Sequence, residues 1–219
     1  MTNRKWIGIL AAGAVFCLLS GAPSTAAVVN PGDTISFSSA PHRDTGFAGG
    51  AFKVTDATSG SGWYSFCLEY NEYISFGPAY TVETVVPYAT AGGVGGGTGG
   101  RDYISSQTAY LYSLYATGGL GFTDDGSKEQ QTALQKVFWW LEGEIPTKPT
   151  DPLSLGYFGL IEGIQEDGQL YGVLVVNPLT LAGVPSQSQL VYVPEPGAFL
   201  LLGSGLLGLI GYRRKRRVE

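Results

Sequence analysis

Trp63-Tyr64-Ser65-Phe66-Cys67-Leu68-Glu69 and Leu134-Gln135-Lys136-Val137-Phe138-Trp139 are the two stretches from which the fold is read. The first alternates with period two and is rich in aromatic residues, the pattern of a strand in an antiparallel sheet with Cys67 near its end. The second lies within Ser127 to Glu142, where Leu134, Val137, Phe138 and Leu141 recur at helical spacing and form a core stripe. Ser127 and Gln130 make a capping box, and Asp124, Asp125 and Glu129 suit the positive end of the helix dipole. Gly143 and Pro146 end the helix.

Outward from these, Thr34-Ile35-Ser36-Phe37, Ala51-Phe52-Lys53-Val54 and the run Tyr80 to Val86 also alternate. Leu170 to Val176 and Gln189 to Val193 read as two further strands. A second helix is expected from Asp102 to Thr117, with Ile104, Tyr110, Leu111, Leu114 and Tyr115 on one side and Gly118-Gly119 as its stop. A short third one is expected between Pro152 and Gly168. The glycine-rich run Ala91 to Gly100 lacks a Gly-Lys-Ser/Thr ending, so it reads as a flexible connection and not as a phosphate loop. The expected fold is α+β: an antiparallel β-sandwich or barrel with an inserted pair of helices.

The chain has 219 residues, and its two ends have a different character from the middle. Residues 1–27 have the form of a secretory signal peptide: Arg4 and Lys5, an apolar stretch from Trp6 to Ser20, then Ser24-Thr25-Ala26-Ala27 for cleavage. At the other end, Val193-Pro194-Glu195-Pro196 precedes an apolar run from Gly197 to Tyr212 and the basic cluster Arg213-Arg214-Lys215-Arg216-Arg217. As a helix that run reaches roughly 24 Å, enough for a transmembrane helix with snorkelling basic flanks. The cluster orients the C-terminus to the cytoplasm. Residues 193–219 closely resemble the PEP-CTERM sorting signal of Gram-negative bacteria. The resemblance implies an exosortase as processing partner, passage through the inner membrane, and delivery to the cell surface or an exopolysaccharide matrix. An ectodomain over residues 28–192 remains between the two ends.

The formal charge of −5 hides an asymmetry. Between Val28 and Pro196 stand 6 Lys/Arg and 17 Asp/Glu, a net −11. Such a surface repels nucleic acid, which excludes that class of partner.

Once a leader carrying Cys17 is removed, Cys67 is the only cysteine, and a lone thiol in an exported chain asks for a reason. The reason advanced is attack of its sulfur on the side-chain amide of Gln135, releasing ammonia and leaving an internal thioester. Proximity can supply the reactivity an amide lacks, with effective molarities on the order of 10⁵ M. Phe66, Trp63, Phe138, Trp139 and Tyr110 are the expected shields against water, and Gln131 is a second candidate acyl donor.

Aromatic-Cys-aliphatic-acidic followed by aliphatic-Gln-x-x-aliphatic/aromatic-Trp resembles the Cys-Gln thioester domains of bacterial surface adhesins. Phe66-Cys67-Leu68-Glu69 carries the first motif and Leu134 to Trp139 the second, with Phe138 where an aliphatic residue is more usual. The helix Gln107 to Tyr112 resembles the aromatic helix between these motifs in PEP-CTERM relatives. What the resemblance implies is covalent capture of amines on a host or neighbouring surface, a role in adhesion or biofilm matrix. That would be at most single-turnover self-acylation, without a catalytic residue, cofactor or metal. Asp124-Asp125-Gly126 is too short for a calcium loop.

Two rivals stand beside this reading. One is a passive matrix or glycan-binding envelope protein with a buried, unreactive Cys67; exposed aromatics beside Trp140 would favour the glycan role. The other is a cysteine hydrolase pairing Cys67 with His42, the only histidine, but no protease signature surrounds the cysteine.

Overall fold

Most of the alternating patterns become strands, and these join into one sheet that curls almost shut. The strand through Trp63 ends at Ser65, leaving Cys67 an isolated bridge, and the one expected from Leu170 starts only at Val173. The computed structural model describes residues 29–46, 49–90, 92–94 and 96–193. The expected signal peptide (1–27), the transmembrane helix (197–212) and the basic tail lie outside the described residues. Among the described residues no helix is long and apolar enough to cross a membrane.

The elements in order are β1 (Thr34–Ser39), β2 (Phe52–Asp56), β3 (Gly62–Ser65), β4 (Ala79–Val86), β5 (Tyr88–Ala89), β6 (Asp102–Tyr103), α1 (Ser106–Ala116), α2 (Lys128–Leu141), α3 (Pro152–Ile161), β7 (Val173–Thr180) and β8 (Gln189–Tyr192). Six strands form an antiparallel sheet in the order β3-β2-β1-β4-β7-β8. Its two edges then approach each other. Past the end of β3, Leu68 N–H donates to Ser188 O (3.2 Å) and Leu190 N–H to Phe66 O (3.1 Å), so Cys67 stands opposite Gln189. The architecture is therefore a nearly closed barrel and not a two-layer sandwich.

A cluster of side chains binds this seam. The Leu190 carbonyl accepts from Ser65 Oγ (2.6 Å) and Trp63 Nε1 (3.2 Å). The Tyr112 hydroxyl of α1 lies 2.8 Å from Tyr64 O and 3.1 Å from Leu190 O, its single proton shared between carbonyls of the two edges. One apolar cluster joins Ile35, Phe37, Phe52, Val54, Tyr80 and Val82 on β1, β2 and β4 with Cys67 and Trp139. A second packs the helices, through Leu111, Tyr112, Leu134 and Phe138, against Phe66, Val173, Val175 and Leu190. Alternation along β7 divides it between the clusters, Val175 in one and Val176 in the other.

Several expectations change. The inserted pair of helices is joined by the expected third, and all three lie between β6 and β7. Asp102 and Tyr103 are not helical; they pair with Ala89 and Tyr88, and α1 starts later because the Ser105 hydroxyl accepts from Thr108 N–H (3.0 Å) as N-cap. The third helix stops at Ile161, short of Gly168. β7 continues past Val176 through Pro178 to Thr180, alongside an irregularity between Val82 and Thr84 that shifts the register on β4. Within the glycine-rich run, Gly93 and Val94 are held against Glu144. Val94 N–H donates to Glu144 Oε2 (3.0 Å), and Gly93, at positive φ, passes so close that a side chain there would collide with the Glu144 carboxylate.

If the seam depends on the shared hydroxyl, Tyr112→Phe should lower stability by about 1 kcal/mol. Urea unfolding should show a lower midpoint with an unchanged slope, because the ring itself stays packed.

Candidate functional site

The seam decides where the polar groups of Cys67 point. Bonds run from Leu68 N–H and Leu190 N–H on either side of the Cys67–Gln189 pair, so these two are a non-hydrogen-bonded pair. The N–H and C=O of Cys67 therefore face away from β8, and the carbonyl needs a partner from elsewhere. That partner comes from α2. Gln135 Nε2 donates to Cys67 O at 2.8 Å, and Cys67 Sγ–H donates to Gln135 Oε1 at 3.3 Å. Both side chains are fully buried.

Helix α2 holds Gln135 in place because its capping box forms as expected, Gln130 N–H to Ser127 Oγ and Ser127 N–H to Gln130 Oε1. Leu134, Val137 and Phe138 anchor the same turn in the core. Pattern alone puts Gln135 at the border of the apolar stripe; it is fully buried because the closed sheet wraps that border.

Around the pair, Phe66 packs edge-on against Phe138 (5.3 Å) and Tyr115 (4.9 Å). Trp139, one turn beyond Gln135, is buried in the cluster that contains Cys67 and meets Tyr70 edge-on at 4.9 Å. Trp63 is half-buried at the seam. Tyr110 is different: it packs on Tyr171 (5.0 Å) in the helix-side cluster and does not belong to the one around Cys67. The carboxamide of Gln131 is engaged elsewhere, accepting from Ala51 N–H (3.1 Å) and donating to Asp125 Oδ2 (2.8 Å) and Gly126 O (3.2 Å). It buckles the β1–β2 connection onto the start of α2.

His42 takes part in that same buckle. Its Nδ1 lies 2.5 Å from Asp125 Oδ1, and its N–H donates to Asp125 Oδ2 (3.1 Å). The hydrogen bond and charge of Asp125 raise the imidazole above its ordinary value. Histidine and cysteine thus serve different constellations. Trp140 is half-buried, with Phe158 edge-on at 5.2 Å and the Lys148 ammonium over its ring, so an open aromatic platform is not what surrounds it. Among the described residues no group of acidic, histidine or cysteine side chains could hold a metal ion.

Burial pushes the Cys67 thiol well above its usual range and the charge of Glu69 adds to this, while the charge of Arg43 opposes it. The resting group is therefore the neutral thiol, a hydrogen-bond donor to Gln135. Glu69 is buried too: Oε2 accepts from Ser188 N–H (2.8 Å), and Oε1 has no hydrogen-bond partner among the described residues. Burial, with the charge of Glu72, moves its carboxyl up to about 7.

Sequence reasoning missed the polar residues that brace this corner. Gln187 Nε2 donates to Glu69 O (2.8 Å) and Glu72 O (2.6 Å), and Glu144 Oε2 accepts from Tyr70 N–H (2.7 Å). Asn177 ties β7 to the seam through Ser188 Oγ (2.8 Å) and to Thr84, Tyr88 and Thr90. The one available signal was the polar run Ser186-Gln187-Ser188-Gln189 directly before a strand, which reads as a solvated loop and is buried.

Residues 193–217 match the PEP-CTERM protein-sorting motif. The motif implies an exported protein sorted by an exosortase. Beyond Val193 its residues lie outside the described ones. No curated protein and no solved structure matches the chain.

Glu69 makes a pH signature. Its folded pKa exceeds the ordinary 4.5 and reaches about 7, so between those values the folded state binds more protons than the unfolded one. Its contribution is present below the unfolded value and is lost as pH rises through the folded one. Glu69→Gln should flatten this decline, measured as the urea midpoint at pH 4.5 and pH 8.

Proposed function

We propose that Cys67 and Gln135 join as an internal thioester in an exported protein that attaches covalently to amines on a surface outside the cell. The observation that carries the reading is the two-point contact between them, thiol to Oε1 at 3.3 Å and Nε2 to Cys67 O at 2.8 Å, inside a fully buried site. In the first step the Cys67 Sγ–Gln135 Cδ bond forms and the Cδ–Nε2 bond breaks. The thiol proton leaves with the amide nitrogen as ammonia. In the second, an amine nitrogen bonds to Cδ, the Cδ–Sγ bond breaks, and a proton from the amine returns the sulfur to a thiol.

The chain supports both steps by position. Cys67 O holds the nitrogen that must leave, and the seam and α2 fix the partners so that little motion separates them. Phe66, Phe138 and Trp139 exclude water, which would otherwise leave Glu in place of Gln135 and end the activity. Before processing, the C-terminus would lie in the cytoplasm with the ectodomain outside; after it, the protein would reside on the cell surface or in the matrix.

Intact-mass spectrometry of the full-length exported chain, purified in detergent, tests the reading. The chain should weigh one ammonia less than its processed sequence. Methylamine should add to Gln135 and free the Cys67 thiol, while Cys67→Ala or Gln135→Ala should restore the plain mass. His42→Ala should leave the deficit unchanged, since His42 is bound to Asp125. A full mass, with a thiol that alkylates only on unfolding, would instead indicate a passive envelope protein with a buried cysteine.

A further inference from the structure

Across the seam from Cys67 stands a further glutamine, Gln189 of β8. The two form the non-hydrogen-bonded pair described above. In such a pair the Cα atoms lie about 4.5 Å apart and the side chains rise from the same face of the sheet. The apolar clusters agree on that face: Val191, two residues on, packs with Cys67, whereas Leu190 packs with the helices. Val176, the partner of Gln189 on β7, also belongs to the Cys67 cluster. The Gln189 side chain therefore enters the barrel interior on one row with Cys67 and Val176.

Gln189 is fully buried, and its polar atoms are poorly used. Oε1 has no hydrogen-bond partner among the described residues. Nε2 reaches Gln187 O at 3.5 Å, the outer limit of a hydrogen bond, and carries a second proton that this contact leaves uncommitted. A buried polar group left in that state costs about 1–3 kcal/mol, which an apolar side chain of the same volume would avoid. Gln131 and Gln187, buried as well, show the contrast: each donates its Nε2 protons to two acceptors within 3.2 Å.

We infer that Gln189 donates a hydrogen bond to the Gln135 carbonyl oxygen while the Cys67–Gln135 bond forms. The inference rests on the thioester reading and adds a residue to that same site. In the resting pair, Gln135 Oε1 accepts the Cys67 thiol proton at 3.3 Å, and that proton is the one the reaction consumes. As the sulfur electron pair adds to Cδ, the carbonyl π pair moves onto Oε1 and the thiol proton passes to Nε2. Oε1 is then negatively charged and has lost its donor, inside a fully buried site. Collapse returns the pair to the carbonyl, breaks the Cδ–Nε2 bond and releases ammonia. Through both stages the oxygen needs a donor other than the thiol, and Gln189 brings an uncommitted N–H to the face from which the sulfur attacks. A donor already aimed where charge develops has no reorganisation to undergo at the moment of reaction.

Intact-mass kinetics on the full-length chain in detergent test this. Excess ammonia drives the first step backwards, to the Cys67 thiol and the Gln135 amide. Removing the ammonia lets the thioester form again, followed as the return of the mass deficit. Gln189→Met, which keeps the volume and discards the donor, should slow this return on the order of 100-fold. Gln189→Asn, a shorter carboxamide, should fall between the two. The urea midpoint of Gln189→Met should be unchanged or higher, because the substitution removes a bare buried amide. In infrared spectra of chains labelled with ¹³C at the glutamine side-chain carbonyl, the thioester stretch should move to higher wavenumber in Gln189→Met, since a hydrogen-bonded carbonyl absorbs lower. A rate or a stretch that Gln189→Met leaves unchanged would overturn the inference and leave the thioester reading standing. A lower midpoint with the rate preserved would do the same, marking Gln189 as a structural glutamine. A wild-type chain with no mass deficit would sink the thioester reading, and this inference with it.

Discussion

Closure of the sheet at Phe66–Leu68 against Ser188–Leu190 is the constraint from which the rest of the site follows. Two backbone bonds make the seam. An antiparallel ladder alternates between pairs that exchange bonds and pairs whose polar groups face outward, and Cys67 falls on the second kind. Had the register slipped by one residue, Cys67 would have spent its carbonyl on β8 and turned its side chain to the opposite face. The side-chain clasp around Leu190 O, from Trp63, Ser65 and Tyr112, holds that register from three positions at once.

A buried carboxamide must find partners, and leaving one bare costs about 1–3 kcal/mol. For Gln135 the described hydrogen bonds are a backbone carbonyl and a thiol of the same residue. A thiol is a weak donor, so the pair stabilises the fold little compared with an apolar pair of similar volume. Gln131, one turn earlier and equally buried, shows the contrast. Its carboxamide is satisfied by an amide, a carboxylate and a carbonyl, which is what a structural glutamine looks like. The two glutamines, both candidates on one helix face, thus differ in their partners: Gln131 braces the β1–β2 connection, and Gln135 contacts Cys67.

Much of this was legible from residue pattern. Period-two alternation located the main strands, and the capping box with its stripe located α2 to within a residue or two. The solitary thiol and the glutamine on α2 were visible without coordinates, and the structure brings them into hydrogen-bond contact. What was not legible depends on contacts between distant segments. Barrel closure arises from bonds spanning more than 120 residues between Trp63 or Ser65 and Leu190. Asp102-Tyr103 went to a ribbon because Tyr88-Ala89 was there to pair with it, outcompeting local helical preference. The glycine run looked slack because its partner, the Glu144 carboxylate, lies 50 residues from Val94. Buried polar residues such as Gln187, Ser188 and Asn177 gave no periodic signal, since satisfied polar groups break the apolar pattern that periodicity detects.

The burial that protects the pair also restrains it. Full desolvation favours the neutral thiol over the nucleophilic thiolate, and the negative charge of Glu69 deepens that preference. The resting group is therefore the neutral thiol, and the Trp139 indole in the same cluster is buried as well. Arg43 works against that preference. Its charge favours the thiolate, and its guanidinium rests on the rings of Phe52 and Phe76.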